Sequence, residues 1–291
     1  MLHLDFLIFI IYTLKCNYLR LKFESPLQAG QTRGGTLQRG PELRFVMPVF
    51  RSRFFLFTGI FLLVAGFCMA MLPSLEGVED GVYIKLRTAN NETVEKYLSP
   101  KSPEFVRSDK LPRHVVGAFI TAEDEDFYKH NGISWDEIRH AMDYDIAHMS
   151  LKCGGSTITQ QLVKNVYLNR KKTFHRKLIE AVTAVRLEKR LSKKQILDYY
   201  LNIIEFGKGI YGLKNAANVY FDKQPQDLTP EEAVTLAVLM PKPISRGQAL
   251  KEGYISEYER KRIAYILKRM KKLGYLIEIP SPEAGIQKLK S

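Results

Sequence analysis

Two short stretches of this sequence carry side chains that could transfer a proton and bind an anion. The first, AEDEDFYKHNG, places the adjacent carboxylates Glu123 and Asp124 after an apolar run with helical spacing. The second, GGSTITQQLVKN, begins at Gly154 and places hydroxyl, amide and ammonium groups on a second helix. We expect the two stretches to form two walls of one active site.

Glu123 is the candidate general acid or base. A helix that starts at Arg113 and continues through His130 would place Glu123 on an otherwise apolar face. A carboxylate in that position is poorly solvated, which favours its protonated form and suits acid or base chemistry. This helix alone leaves open the alternative of a helix-end acid that reaches solvent. His130 is interpreted as a structural hydrogen-bond partner.

The second helix presents Thr157, Gln161 and Lys164 on one face at one-turn spacing. Such a face can hold a polyhydroxylated or phosphorylated ligand, and free backbone amides at a helix start favour an anion. A simply solvated polar face is the alternative.

A third cluster, RKLIE, contains Arg176, Lys177 and Glu180. The spacing puts two cations beside one carboxylate on the same helix face. By itself this pattern is typical of a surface ion-pair set. Together with Lys164 it would form a cationic group able to hold a pyrophosphate.

Composition sets the limits of what such a site could serve. The chain has 291 residues, of which 45% are hydrophobic and 26% charged, and this is ordinary globular material. Its formal net charge of +13 indicates an anionic partner: nucleic acid, a membrane surface or a phosphorylated substrate. Three cysteines and six histidines show no ligand spacing, so a structural metal is not expected.

The apolar run from Phe54 to Leu72 predicts a single transmembrane helix. It contains no charged residue and follows Arg51 and Arg53, a pattern that keeps the amino-terminal side in the cytoplasm. A cleaved signal peptide and a buried helix are the alternatives. We therefore predict an anchor over residues 47–73.

Three further regions complete the predicted organisation. Residues 1–46 form an N-terminal extension that is flexible or not native, because Met47 could be the true start. Residues 74–112 form a membrane-proximal spacer with a strand over Val82–Arg87. Residues 113–291 form a mostly α domain, whose helix start signals are Ser156 or Thr157, Ser192 with Gln195, and Thr229 with Pro230 and Glu232.

Together these motifs resemble glycosyltransferase family 51, the peptidoglycan glycosyltransferases. The pattern EDxxFxxHxG is met at Glu123, Asp124, Phe127, His130 and Gly132, and GGSTITQQLVKN is met in full. RKxxE follows, and KKQILDYYLN, FGKGIYGLKNAANVYF and LTPEEAVTLAVL resemble the remaining motifs. The resemblance spans roughly residues 105 to 275. It implies a lysozyme-like glycosyltransferase domain behind the anchor.

The resemblance also implies roles for individual residues. Glu123 is similar to the general base that takes a proton from the acceptor 4-hydroxyl, and Glu180 to the family's second conserved acid. Lys164, Arg176 and Lys177 match residues that hold the departing pyrophosphate. The remaining matches are to site-shaping or substrate-contacting positions, namely Asp124, Phe127, His130, Thr157 and Gln161.

The implied reaction polymerises lipid II onto a growing lipid-linked glycan, with inversion and release of undecaprenyl pyrophosphate. No cofactor is required, and a divalent cation (Mg²⁺ or Mn²⁺) near Glu180 is left open. The resemblance implies that the protein crosses the cytoplasmic (inner) membrane once, with its catalytic domain on the periplasmic or extracytoplasmic side. Other cell-wall synthesis proteins are further expected partners. Nucleic acid is not an expected partner.

Several expectations concern the edges of the domain. The family's mobile flap would fall at Tyr144 to Cys153, and the basic run Glu257 to Gly274 resembles its closing helix. That helix is either packed with a solvated basic face or bound to a membrane surface. Because no SxxK element follows the span, we expect a monofunctional enzyme. A lytic transglycosylase, which cleaves finished glycan, is the alternative, although it needs no pyrophosphate-binding cations.

Overall fold

The structure is a computed structural model that describes residues 70–136, 138–139, 156–168 and 173–280, with positions 58, 59, 62, 63 and 66. All elements named below belong to the unit Ile60–Ser291. Within the described part of the chain, no helix has both the length and the apolar character needed to cross a membrane. The predicted extension, the predicted flap and most of the predicted anchor lie outside the described residues.

The described chain is mostly helical, as predicted. Two short antiparallel hairpins accompany the helices. In order, the elements are β1 (Val82–Arg87), β2 (Thr93–Leu98), α1 (Arg113–Glu123), α2 (Ile158–Tyr167), α3 (Phe174–Glu188), α4 (Lys193–Ile203), β3 (Glu205–Gly207), β4 (Ile210–Tyr211), α5 (Leu213–Phe221), α6 (Pro230–Leu239), α7 (Pro243–Lys251) and α8 (Glu257–Lys272).

The first hairpin confirms the predicted strand with the same bounds. Val82 lies opposite Leu98 and Arg87 opposite Thr93. The alternation in β1 turns Val82 and Ile84 toward the core, because successive side chains of a strand point to opposite faces. β1 packs against α2. The region interpreted as a spacer therefore contributes to the folded domain.

Helices α2, α4 and α6 begin at the residues that the sequence signals predict. Thr157, Ser192 and Thr229 each form a complete capping box with the third residue of the helix. The hydroxyl of the cap residue accepts a hydrogen bond from the backbone N–H of the third helical residue. The side chain of that third residue accepts a hydrogen bond from the backbone N–H of the cap residue. These bonds satisfy two otherwise unpaired donors and fix where each helix starts.

Helix α6 is the centre of the core. Every residue from Glu231 to Leu239 is buried. α1 packs against α6, and α8 packs against both. α1 supplies fully buried side chains such as Val115 and Phe119, each of which contributes about 1.5–3 kcal/mol through burial. This packing places the end of α1 next to α2 and α8.

Helix α1 ends at Glu123 and does not continue through His130, so that expectation was wrong. Asp124 leaves the helical region with φ −163° and ψ 75°. Its buried carboxylate accepts bonds from the backbone N–H of Ile158 and from His130. Because these partners lie on another helix and in the following turn, tertiary bonds end the helix where periodicity predicted continuation.

Candidate active site

Glu123 occupies the last position of α1 with its carboxylate enclosed by protein. Burial raises the pKa of Glu123, as suits a general base that works near neutral pH. Gln161 Nε2 donates a 2.7 Å hydrogen bond to Glu123 Oε2, and this bond and the charges of Arg262 and Lys164 lower the pKa of Glu123. Because burial is the largest effect, Glu123 is a stronger base than a solvated glutamate.

Asp124 fixes the turn that follows Glu123. Its side chain is 1% exposed, and Oδ2 accepts a 2.9 Å bond from the backbone N–H of Ile158. The N–H of Gly132 donates to His130 Nδ1, so His130 Nε2 carries the proton and donates to Asp124 Oδ1 at 2.8 Å. These bonds join the end of α1 to the start of α2, and the structural interpretation of His130 agrees with them.

Phe127 and Thr157 lie beneath the surface. Both are fully buried. The Thr157 hydroxyl donates a 2.8 Å bond to the carbonyl of Gly132 and accepts the capping bond of α2. Lys193 stacks over the Phe127 ring at 4.4 Å. Of the two interpretations in the sequence analysis, site shaping fits these residues, because a buried side chain cannot touch a ligand in the cleft.

Glu180 is the centre of the cationic cluster. Its buried carboxylate is bound by Arg176 Nη1 at 2.9 Å and by Lys177 Nζ through the other oxygen. Lys177 Nζ also donates to Ser156 Oγ at 2.7 Å, which links α3 to the residue before the cap of α2. Glu180 is buried and Arg176 mostly so, whereas the Lys177 side chain is 45% exposed, and the surface ion-pair alternative therefore does not describe Glu180 and Arg176.

Arg176 retains a free donor within this cluster. Its Nε is buried and has no hydrogen-bond partner in the described structure. Glu180 occupies Nη1, which leaves the guanidinium edge formed by Nε and Nη2. That edge is the one that binds two oxygens of a phosphate or carboxylate side by side.

Lys164 lies between the general-base candidate and the cationic cluster. Its side chain reaches solvent, yet enough protein surrounds the ammonium that burial lowers the pKa of Lys164. Among the charges that act on Lys164 are those of Glu180, Lys177, Arg176 and Glu123. No ion pair holds Lys164 within the described residues. An ammonium that is partly desolvated and unpaired gains from an anionic ligand.

A cleft of about 540 Å³ opens along α2. Gln161, Lys164 and Arg176 line it on the helical side, and β1 and β2 line the opposite side. Gln161 contacts both the cleft and Glu123. The predicted amide Gln161 and two of the three predicted cations, Lys164 and Arg176, therefore share one cavity, whereas Lys177 does not line it. The hairpin forms a wall that the motifs did not predict.

We searched the side chains of the described residues for a metal site. Within the described ranges, no group of three or more His, Cys, Asp or Glu residues could hold a metal ion. Both oxygens of Glu180 are engaged by Arg176 and Lys177. In this arrangement Glu180 has no carboxylate oxygen without a cation partner, and we assign no catalytic step to a metal.

Sequence reasoning missed two neighbours of Glu123. The Tyr200 hydroxyl lies 3.5 Å from Gln161 Oε1. Tyr200 belongs to the motif KKQILDYYLN, which the sequence analysis recognised without assigning a role to this residue. Arg262 donates to the carbonyl of Ala122, 140 residues earlier in the chain. No local pattern points to that contact, because it depends on how α8 packs against α1.

Comparison with known proteins decides the family. The transglycosylase family model matches residues 90–271. The chain is 42% identical over 175 residues to a biosynthetic peptidoglycan transglycosylase of Shewanella frigidimarina, covering 60% of this chain and 75% of that protein. The chain belongs to the transglycosylase family. The prediction of a peptidoglycan glycosyltransferase is confirmed at this level.

A second relative of the transglycosylase is much longer. The chain is 40% identical over 172 residues to penicillin-binding protein 1A of Aquifex aeolicus. The matched region covers 59% of this chain and 23% of that protein. The matched family range begins in the hairpin turn and ends within α8. It therefore includes every candidate site residue and Arg262, whereas β1 lies ahead of it.

Proposed function

We propose that this transglycosylase polymerises lipid II into glycan strands and releases undecaprenyl pyrophosphate. The observation that carries the proposal is the arrangement along α2. Gln161 hydrogen-bonds the partly buried carboxylate of Glu123 at 2.7 Å, and Lys164, one turn further, faces the cluster of Arg176 and Lys177. A base and an anion site thus lie side by side along α2, and Gln161 and Lys164 face the cleft.

Glu123 acts as the general base in this proposal. It takes the proton from the 4-hydroxyl of the acceptor sugar, and that oxygen forms a bond to the anomeric carbon of the donor. The bond from the anomeric carbon to the pyrophosphate oxygen breaks, and its electron pair leaves with the pyrophosphate. Attack opposite the leaving group inverts the anomeric centre, so no covalent enzyme intermediate is needed.

The cations stabilise the leaving group. Lys164 and Arg176 both line the cleft. Charge that develops on the pyrophosphate oxygens is stabilised by donors already in place, and such preorganised electrostatics usually contributes the most to catalysis. Glu180 holds Arg176 and Lys177 in position, and Lys177 extends the anion site toward Ser156.

This charge arrangement favours synthesis over the lytic alternative. Cleavage of finished glycan requires an acid and a base but no site for a pyrophosphate. The cations Lys164 and Arg176 at the cleft, with Lys177 beside them, would have no role in that reaction. The family match and the relative named as a biosynthetic enzyme support the same choice.

The location and partners form part of the proposal. The apolar run 54–72 supports a single-pass anchor in the cytoplasmic membrane with the catalytic domain on the extracytoplasmic side. Such an anchor would confine the enzyme to the membrane surface that holds its lipid-linked substrates. Other cell-wall synthesis proteins are further candidate partners. Any requirement for Mg²⁺ or Mn²⁺ would arise outside the carboxylates described here.

Purified full-length protein incubated with lipid II tests the proposal. We expect glycan polymer that a muramidase digests, and we expect Glu123→Gln to abolish it while thermal unfolding stays near that of the wild type. Lys177→Ala should lower turnover far more than stability. Release of anhydro-muropeptides from sacculi with no polymer from lipid II would overturn the synthetic assignment.

A further inference from the structure

Two arginines of α8 hold the chain on either side of Glu123. Arg262 Nη2 donates a 3.3 Å bond to the carbonyl of Ala122, the residue before Glu123. Arg269 Nε donates a 2.8 Å bond to Glu125 Oε2, and its Nη2 donates to the other oxygen of the same carboxylate. The candidate base thus lies between two contacts to one helix.

The contact at Ala122 has a clear physical basis. The carbonyls in the last turn of a helix have no partner within the helix, and they carry partial negative charge. A guanidinium at that end satisfies a free carbonyl and interacts favourably with the helix dipole. Arg262 therefore stabilises the end of α1 at the residue where the reactive carboxylate emerges.

Helix α8 is anchored well enough to act as a support. A capping box between Ser256 and Glu259 fixes its first turn. Apolar side chains bury its inner face and pack against α1 and α6; they include Ile263, Ile266, Leu267 and Met270. Arg262 and Arg269, seven residues apart, lie on one face of this rigid helix. The ring of Tyr265 lies 5.4 Å from the Arg262 guanidinium and limits its freedom.

Arg262 also belongs to the electrostatic surroundings of the carboxylate. Charged or titratable groups face Glu123 from four elements: Asp124 after α1, Lys164 on α2, Tyr200 on α4 and Arg262 on α8. Arg262 is the cation that lowers the pKa of Glu123 most, ahead of Lys164. Because Lys164 faces the anion site, Arg262 supplies a positive charge that substrate binding at that site does not neutralise.

We propose that α8 is a positioning clamp for the general base, in which Arg262 and Arg269 hold the chain on either side of Glu123 and Arg262 places a positive charge beside it. This inference rests on the proposed function, since it assigns a purpose to the placement of Glu123 as a base. Both arginines are positioning residues that act through Glu123. The closing helix thereby gains a role beyond packing, and a membrane surface is not needed to explain its two arginines.

The pH dependence of polymerisation separates the two parts of the clamp. Arg262 lowers the pKa of Glu123, so its removal raises that pKa and reduces the ionised fraction at a given pH. For Arg262→Gln we expect the acid limb of the rate profile to move to higher pH and kcat to fall about 10-fold. Arg262→Lys keeps the positive charge but lacks the planar guanidinium. The acid limb of the pH–rate profile should therefore return toward the wild-type position while kcat stays reduced.

A matched control lies on the same helix. Lys261 is exposed and pairs with Glu257 one turn away. Lys261→Gln removes one positive charge from α8 without touching α1, so kcat and the limb should both stay at wild-type values. An equal shift in Lys261→Gln and Arg262→Gln would overturn the assignment, because a nonspecific change in helix charge would then explain both.

The Arg269–Glu125 pair tests the positional part alone. Arg269→Gln and Glu125→Gln each break the same ion pair, and each should lower kcat. The double variant should be no worse than either single one, because the two residues act as one unit. Wild-type kcat in both single variants would overturn the clamp.

Failure of the clamp and failure of the proposed function give different results. If the wild type makes no polymer from lipid II, the proposed function fails, whatever α8 does. If the wild type makes polymer but Arg262→Gln and Arg262→Lys match it in kcat and in the acid limb, only the clamp fails. A carboxyl ¹³C titration of Glu123 in wild type and Arg262→Gln reports the electrostatic part without turnover, and unchanged titration would refute it.

Discussion

Gln161 Nε2 donates a 2.7 Å hydrogen bond to Glu123 Oε2 and so couples the cleft-facing side of α2 to the carboxylate at the end of α1. This bond favours the ionised carboxylate and lowers the pKa of Glu123 against the larger effect of burial. One amide therefore orients the carboxylate and opposes part of the effect of burial on its pKa.

Gln161→Ala should move the acid limb of the polymerisation profile to higher pH. Loss of the bond raises the pKa of Glu123, and a base must be ionised to accept a proton. The measurement is kcat against pH with lipid II. Gln248→Ala on α7, which removes only an exposed bond to Glu252, should leave the profile unchanged; an unmoved limb in Gln161→Ala would contradict the prediction.

Lys164→Ala should separate activity from stability. No ion pair holds Lys164 within the described structure, and burial lowers the pKa of its ammonium, so its removal should change stability by less than about 0.5 kcal/mol. Turnover should fall about 10²-fold, as when a preorganised donor is lost. Thermal unfolding and polymer formation measure the two effects. The exposed Lys268→Ala on α8 serves as the control, and wild-type turnover in Lys164→Ala would refute the role.

Asp124→Asn should destabilise the fold. The buried carboxylate accepts hydrogen bonds from Ile158 N–H and from His130. The side-chain amide of the variant has an NH₂ group in place of one carboxylate oxygen, and this NH₂ group would face one of these two N–H donors. A cost of about 1–3 kcal/mol follows from a buried mismatch. Asp126→Asn is the control, since it breaks only an exposed pair with Lys129 worth less than about 1 kcal/mol. Equal unfolding temperatures for the two variants would show that Asp124 is not the anchor of this turn.

Gly132→Ala should be more costly than Gly77→Ala. Both glycines have positive φ, 90° and 71° respectively, where an L residue is strained. A Cβ at Gly132 would also lie 2.9 Å from the backbone of Ala184, whereas one at Gly77 would meet nothing within 4 Å. We expect about 1 kcal/mol for Gly77→Ala and several times that for Gly132→Ala. Comparable losses in denaturant unfolding would mean that the close approach to Ala184 relaxes easily.

Local patterns predicted the parts of this protein that depend on neighbours in the chain. The bounds of β1 and the starts of α2, α4 and α6 follow from alternation and capping within a few residues. The family and the residues at its site were readable for the same reason, because each motif is short and continuous. The location of the anchor and the bounds of the predicted regions stay predictions.

Tertiary structure decided where each motif residue lies and what it contacts. It ended α1 at Glu123, because the partners of Asp124 come from other segments. It buried Phe127 and Thr157 and left Lys164 at the cleft. It brought Arg262 to the carbonyl of Ala122 across 140 residues. Sequence periodicity records which face of a helix is apolar, but burial, pKa and ion-pair partners arise only when separate helices pack together.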